Sequence, residues 1–272
     1  MRQVIAALAV AAALPAGAQE RIPSHCIALA QGPERVMPAS FREAVPPDAV
    51  RISYIDHAMF LIQTMSVSAI TDFSGHIGNV DFLPDVVTMN HAHSTHWTAF
   101  PDPAIPHVLR GWGEDGQAAS HRLDLGEMLV RNVPTDIRGR MGGGTVEPDG
   151  NSIFVFEAAG LCIGHLGHLH HEPTDEDFAL LGRMDVVMVP VDGGLTLDHP
   201  TLVRTLDRLR ARIVIPMHWF GDATLNAFLQ DMEQETGYRV ERRTESDMVL
   251  TLRDLPDELT VVVLQPELLS DD

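Results

Sequence analysis

The sequence predicts a single α/β domain with two β-sheets inside and helices outside. Three observations lead there. From Val50 the chain runs through short β-rich segments with alternating apolar residues. Its second half changes to helix, strand, helix, strand, and then strands again. No repeat or linker separates the halves, so their apolar faces must cover one another in packed layers.

Taken in order, residues 1–18 read as a signal peptide: Arg2, an apolar run from Val4 to Leu14, then Ala16-Gly17-Ala18 before Gln19. The run is short for a bilayer span, so cleavage and a periplasmic or secreted location are expected, with no membrane attachment afterwards. Residues 19–48, rich in Pro and small residues, read as an extended lead-in, and 49–272 as the domain. "VRISYIDHAMFLIQTMSVSAITDF" predicts three strands in a meander, and "DVVTMN", "HVLRG", "HRLDLG" and "EMLVRNVPT" predict further strands. "RGRMGGGTVEPDGN" reads as a Gly-rich loop through Gly142, Gly143 and Gly144. "SIFVFEAAGLCIGHLGH" predicts a hairpin turning near Ala159-Gly160. Helices are predicted at 174–182, about 199–211 and 222–236, with buried strands at "DVVMVPV" and "RIVIPMH". Strands near 238–242, 247–252 and 260–264 complete the chain.

With 38 acidic residues against 19 basic ones and a net charge of −19, the chain lacks the clustered cations that displace counterions from nucleic acid. A small-molecule substrate is the expected partner. The two cysteines, Cys26 and Cys162, are too far apart for a zinc-finger pattern. Cys162, inside "AAGLCIG", reads as a buried thiol, although an exported chain can hold a disulfide.

Fourteen histidines are many for 272 residues, and their placement says more than their number. His91, His93 and His96 follow one apolar strand, His165, His168, His170 and His171 follow another, and His218 ends a third. Imidazoles projecting from three strand ends can meet in one cleft. His91 and His93, two apart, share a direction on an extended segment, and His96 can return from a turn. Three imidazoles with one open position form a catalytic zinc arrangement, and copper or nickel suits such a site too.

The motifs resemble those of the metallo-β-lactamase-fold superfamily, in particular its branch of ascorbate-phosphate-lactonase-like and RomA-like hydrolases. "ISYIDHAMFLIQT" resembles the opening hairpin of that branch, with His57 in its place, and "AITDF" the strand ending in Asp72, with Phe73 departing from the pattern. "MNHAHSTHW" resembles H-x-H-x-D-H with Thr95 in the Asp position. "GHLGHLHH" resembles H-L-G-D-L-G-H, with His168 where a metal-bridging Asp is expected and His170 for Gly. "VPVDGGLTLD" and "IPMHW" resemble the late strand–helix unit and the final ligand, His218. The resemblance implies an αββα four-layer sandwich with metal at one edge of its two sheets.

It also implies a changed site. Thr95 and His168 replace two carboxylates, and "VPTDIRG" offers only Asp136 where a further His is expected. Two divalent cations about 3.5–4 Å apart repel by roughly 17–19 kcal/mol at an effective dielectric of 20. Bridging anions normally offset that, so one zinc per chain is expected rather than two. His91, His93 and His168 are the first ligand set; His96 and His218 are further ligands or proton-transfer groups. Zinc so held lowers the pKa of its water to about 7, and that water is the expected nucleophile. Asp72 is read as orienting a ligand imidazole, with His165, Thr95 and Asp136 as further supports. His57, His170, His171 and Asp192 are placed at the cleft or its rim. The expected function is metal-dependent hydrolysis of a small ester, lactone or phosphodiester. The alternative is a metal- or ligand-binding protein without turnover.

Overall fold

In the computed structural model, residues 40–90, 93–139 and 147–271 are described. The signal peptide, most of the lead-in, Cys26, His91 and the three glycines of the Gly-rich loop lie outside these residues.

The first sheet takes β1 (Ala49–Asp56), β2 (Met59–Gln63), β3 (Ser68–Ile70), β4 (Val86–Met89) and β5 (His107–Arg110). The second takes β6 (Arg122–Asp124), β7 (Met128–Ile137), β8 (Glu147–Ala158), β9 (Leu161–His165), β10 (Val186–Pro190) and β11 (Ile213–Met217). β12 (Arg239–Arg242) and β14 (Thr260–Val263) extend the second sheet, whereas β13 (Asp247–Thr251) returns to the first. The strand orders are β13-β1-β2-β3-β4-β5 and β12-β14-β11-β10-β9-β8-β7-β6. The meander and the hairpin at Ala159-Gly160 form as the alternation predicts. β8 differs: it begins at Glu147, inside the stretch read as loop, and pairs that residue with Ile137.

Alternation along each strand divides the apolar residues among three layers. Ile52, Phe60, Phe154, Ile163, Met188 and Ile215 meet between the sheets. On the outer face of the second sheet Val155, Val187 and Val214 meet the helices through Leu181, Leu202 and Phe228. Those helices are α1 (Asp175–Leu181), α2 (His199–Leu209) and α3 (Asp222–Asp231), the last continuing as a π-helical stretch, Met232–Thr236. Thr174 starts α1 with a reciprocal cap to Asp177, and Asp198 caps α2 through the Thr201 amide, each satisfying an orphan N–H of the first turn. The outer face of the first sheet is covered among the described residues by loop and terminal side chains, Phe41, Phe73, Ile105 and Leu269. Fully buried on β9, Cys162 is disulfide-bonded rather than a free thiol. No helix of the described residues is long and apolar enough to cross a membrane.

This layering places the site. β4, β10 and β11 are short and buried throughout, and β10 and β11 run parallel with Pro190 beside Met217. The residues just beyond their C-terminal ends therefore emerge at one edge of the sandwich.

Candidate metal centre

Four histidines converge at that edge. The ligating atoms of His57, His93, His96 and His218 all lie within 4.8 Å of one another. They come from the β1–β2 turn, the turn after β4, and the end of β11. The His218 amide donates to the His57 carbonyl at 2.8 Å, and the Tyr54 hydroxyl donates to the same carbonyl at 2.7 Å. The first of these bonds ties the first sheet to the second, and the second braces the turn that carries His57. The backbone bends sharply to do this: His57, Asp72 and His218 have φ of 47°, 40° and 59°. Left-handed conformations of non-glycine residues cost about 1–3 kcal/mol each, and three of them gather here.

Buried carboxylates set the direction of two imidazoles. His96 Nδ1 lies 2.6 Å from Asp72 Oδ2, and Asp72 Oδ1 accepts from Asn90 Nδ2 at 2.9 Å. His218 Nδ1 lies 2.9 Å from Asp192 Oδ2 in a contact poorly aligned for a hydrogen bond. Asp192 also accepts from the backbone N–H groups of Gly194, Leu195 and Thr196 and from the Thr196 hydroxyl. Those donors and His218 hold the Asp192 carboxyl well below the usual range although burial opposes them. Burial pushes Asp72 up to about 6, against the pull of His165 and Asn90.

The facing contacts differ in kind. With its proton on Nδ1 toward a carboxylate, each of His96 and His218 presents a lone pair at Nε2. The two Nε2 atoms are 3.1 Å apart. Two ligands on a tetrahedral zinc at 2.0–2.1 Å stand about 3.3–3.4 Å apart. Burial and the neighbouring His218 and His93 push His96 well below the ordinary imidazole range, so a proton is a poor occupant between them. His57 Nε2 is buried with no hydrogen-bond partner among the described residues, and burial lowers this imidazole to about 3. Buried nitrogens that are neutral and lack donors are what a soft or borderline divalent cation binds, so these residues fit a metal.

His93 and His168 also approach at 3.1 Å between Nε2 atoms, but their hydrogen bonds are already complete. The Arg138 amide donates to His170 Nδ1 at 3.0 Å, and His170 Nε2 meets His168 Nδ1 at 2.6 Å. A neutral His170 therefore carries its proton on Nε2 and gives it to His168 Nδ1. This leaves the His168 proton on Nε2, pointing at His93. His93 Nδ1 in turn meets Thr95 Oγ1 at 2.7 Å. That polarity distinguishes His168 from His96 and His218. Its backbone is fixed by Asn151, whose Oδ1 accepts the His168 amide at 2.8 Å. It is also fixed by Gly167 (φ 58°), where a Cβ would overlap the Asn90 and Asn151 amides.

Other residues singled out from sequence lie elsewhere. Asp136 is exposed and accepts from the Asp149 amide at 3.0 Å; on β7 it alternates with the inward Thr135, so it does not replace the missing histidine. His165 is buried between the sheets, 2.7 Å from the Ala58 carbonyl, and does not reach the cluster's ligating atoms. His171 is exposed. Asn90 and Asn151 were not singled out. Asn90 also accepts from the Ser152 amide at 3.0 Å, so it ties both sheets to Asp72. Its place in "MNHAHSTHW" is the available signal, but a lone Asn has no spacing rule.

Residues 51–218, more than half of the chain, match the family described as the β-lactamase superfamily domain, and the chain belongs to that family. It is 25% identical over 201 residues to a UPF0173 metal-dependent hydrolase of Methanospirillum hungatei, covering 68% of this chain and 88% of that protein. Identity to a UPF0173 protein of Pyrococcus abyssi is 24% over 197 residues, covering 68% of this chain and 91% of the relative. A metallo-β-lactamase-superfamily protein of Thermotoga maritima shares the fold, with a TM-score of 0.56 at 23% identity, over 79% of this chain and 98% of that one.

Proposed function

We propose that the chain is a metal-dependent hydrolase, exported by its N-terminal segment, that uses one zinc ion to cleave a small carboxylic ester or lactone. The observation that carries the metal is the pair of lone pairs facing each other at His96 and His218, 3.1 Å apart in a buried site. The hydrolase reading draws on family membership and on relatives described as metal-dependent hydrolases. When bound, the zinc supplies Lewis acidity toward a carbonyl and acidifies water. His96, His218 and His57 would hold it, with His93 joining them where its Nε2 is released from His168, and Asp72 and Asp192 aim the first two imidazoles. His168 Nε2–H, directed at His93 in this structure, becomes on that release a donor for oxygen that gains negative charge. Among the described residues no cluster of Arg or Lys stands ready to clamp a phosphate, which favours carboxylic substrates over phosphodiesters.

A second reading, metal binding without turnover, is favoured by the neutral groups Thr95 and His168 at the positions of two carboxylates. One preparation tests both. Protein recovered from the periplasm is expected to have the intact mass of cleavage between Ala18 and Gln19 and to contain about one zinc per chain. It is expected to hydrolyse aryl esters or lactones faster than bis-aryl phosphodiesters. Metal without turnover on any panel supports the binder, and a chain free of metal defeats both readings.

A further inference from the structure

We infer that Phe220 and Leu195 form an apolar rim that selects substrates with an aryl or large alkyl group beside the scissile bond. This rests on the reading of the histidine cluster as a hydrolytic metal centre and names its substrate class. Scattered exposed apolar side chains are normal; these two are set apart by where they stand and how they are held.

Phe220 is 66% exposed, yet its ring centroid lies 5.5 Å from that of His57 and 5.3 Å from that of His218. It therefore leans on two imidazoles of the centre and shows its remaining surface to solvent. Leu195 is 59% exposed at the middle of a turn fastened from both sides. Asp192 accepts from the amides of Gly194, Leu195 and Thr196, and Arg138 Nη2 donates to the carbonyls of Gly194 and Thr196. Asp192 also lies against His218 of the cluster, and the Arg138 amide donates to His170, which meets His168 beside it. Both apolar residues follow the adjacent parallel strands β10 and β11, which end side by side at Pro190 and Met217. The charged groups of this rim are thus turned inward on the turn itself, and what the turn presents outward is a leucine. A rigid apolar wall beside a polar centre is how small-molecule sites gain affinity, with a few polar groups setting orientation.

The test uses zinc-loaded protein and two metal-directed probes, benzohydroxamate and acetohydroxamate, titrated calorimetrically. Benzohydroxamate is expected to bind at least about tenfold more tightly. Phe220→Ala is expected to shrink that preference to about twofold, Phe220→Leu to retain part of it, and Leu195→Ala to reduce it about threefold. Thermal melts check that each variant is folded. Equal affinities in the unaltered protein, or a preference that survives both alanine variants, overturns the rim while leaving the metal centre standing. Failure of both probes to bind, with no zinc retained, overturns the rim and the hydrolase reading together.

Discussion

Two imidazole pairs in this protein have the same nitrogen–nitrogen distance, 3.1 Å, and opposite chemistry. His96 and His218 lean on the carboxylates of Asp72 and Asp192, so their protons point away from each other and their lone pairs collide. His93 and His168 lean on the neutral groups Thr95 and His170, so one proton sits between them and the contact is satisfied. Distance alone would make both pairs metal ligands. The partner behind each ring decides which pair wants a cation, because an imidazole has one proton and two nitrogens. The comparison teaches that one half of the site is built for metal and the other is built as a hydrogen-bonded chain.

The largest expected effect separates these halves directly. His218→Ala should weaken zinc binding by at least about 100-fold, whereas His168→Ala should weaken it by less than about tenfold. Equilibrium dialysis with metal analysis measures both, and the opposite ranking would break the comparison. A second change would erase the difference by giving the neutral half its own anions. Thr95→Asp combined with His168→Asp is expected to raise stoichiometry from about one metal per chain toward two, and each single change to do less. Unaltered protein already holding two tightly bound metals would show that the charge deficit is met without these two carboxylates, and would overturn the argument.

The smallest effect is on acid stability. Burial, as the first cause in each, pushes His57 to about 3 and His170 to about 4, and lowers His96 and His165 as well. Unfolded, these rings titrate near 6.5, so between the folded and unfolded values the unfolded chain binds more protons. Stability from these groups is therefore complete above about 6.5 and is lost as pH falls toward the folded values. Asp72, raised to about 6 by burial, and Asp247, also raised by burial, work the other way, but they are two carboxyls against five histidines, since burial lowers His168 as well. The Tm of metal-free protein should fall by about 5 °C or more from pH 7 to pH 4.5, with a shallower slope in His57→Asn. A Tm that stays level over this range would mean that the cluster is solvated rather than buried.

Much of the architecture was legible from periodicity. The apolar runs at 185–191 and 212–218 form β10 and β11, and the helix predicted at 174–182 forms as α1. Other features were misread because a local pattern ranks them poorly. Glu147 to Gly150 resemble loop by composition, yet pairing with β7 draws them into β8. Asp136 was the nearest carboxylate to a missing ligand, but strand alternation turns it to solvent.

By itself the sequence determined that strands would end in histidines at three places and that two expected carboxylates were gone, because both are properties of residue order. Tertiary structure alone decided which nitrogens face one another. His57 reaches the cluster only because the β1–β2 turn bonds to the end of β11, more than 150 residues away. Likewise, Asp192 serves His218 only because β10 and β11 lie side by side. The polarity of the His170–His168–His93 chain begins at the Arg138 amide, a donor that every non-proline residue has. Backbone groups carry no sequence signature, so their partners, and the proton positions that follow from them, exist only once the sheets have packed.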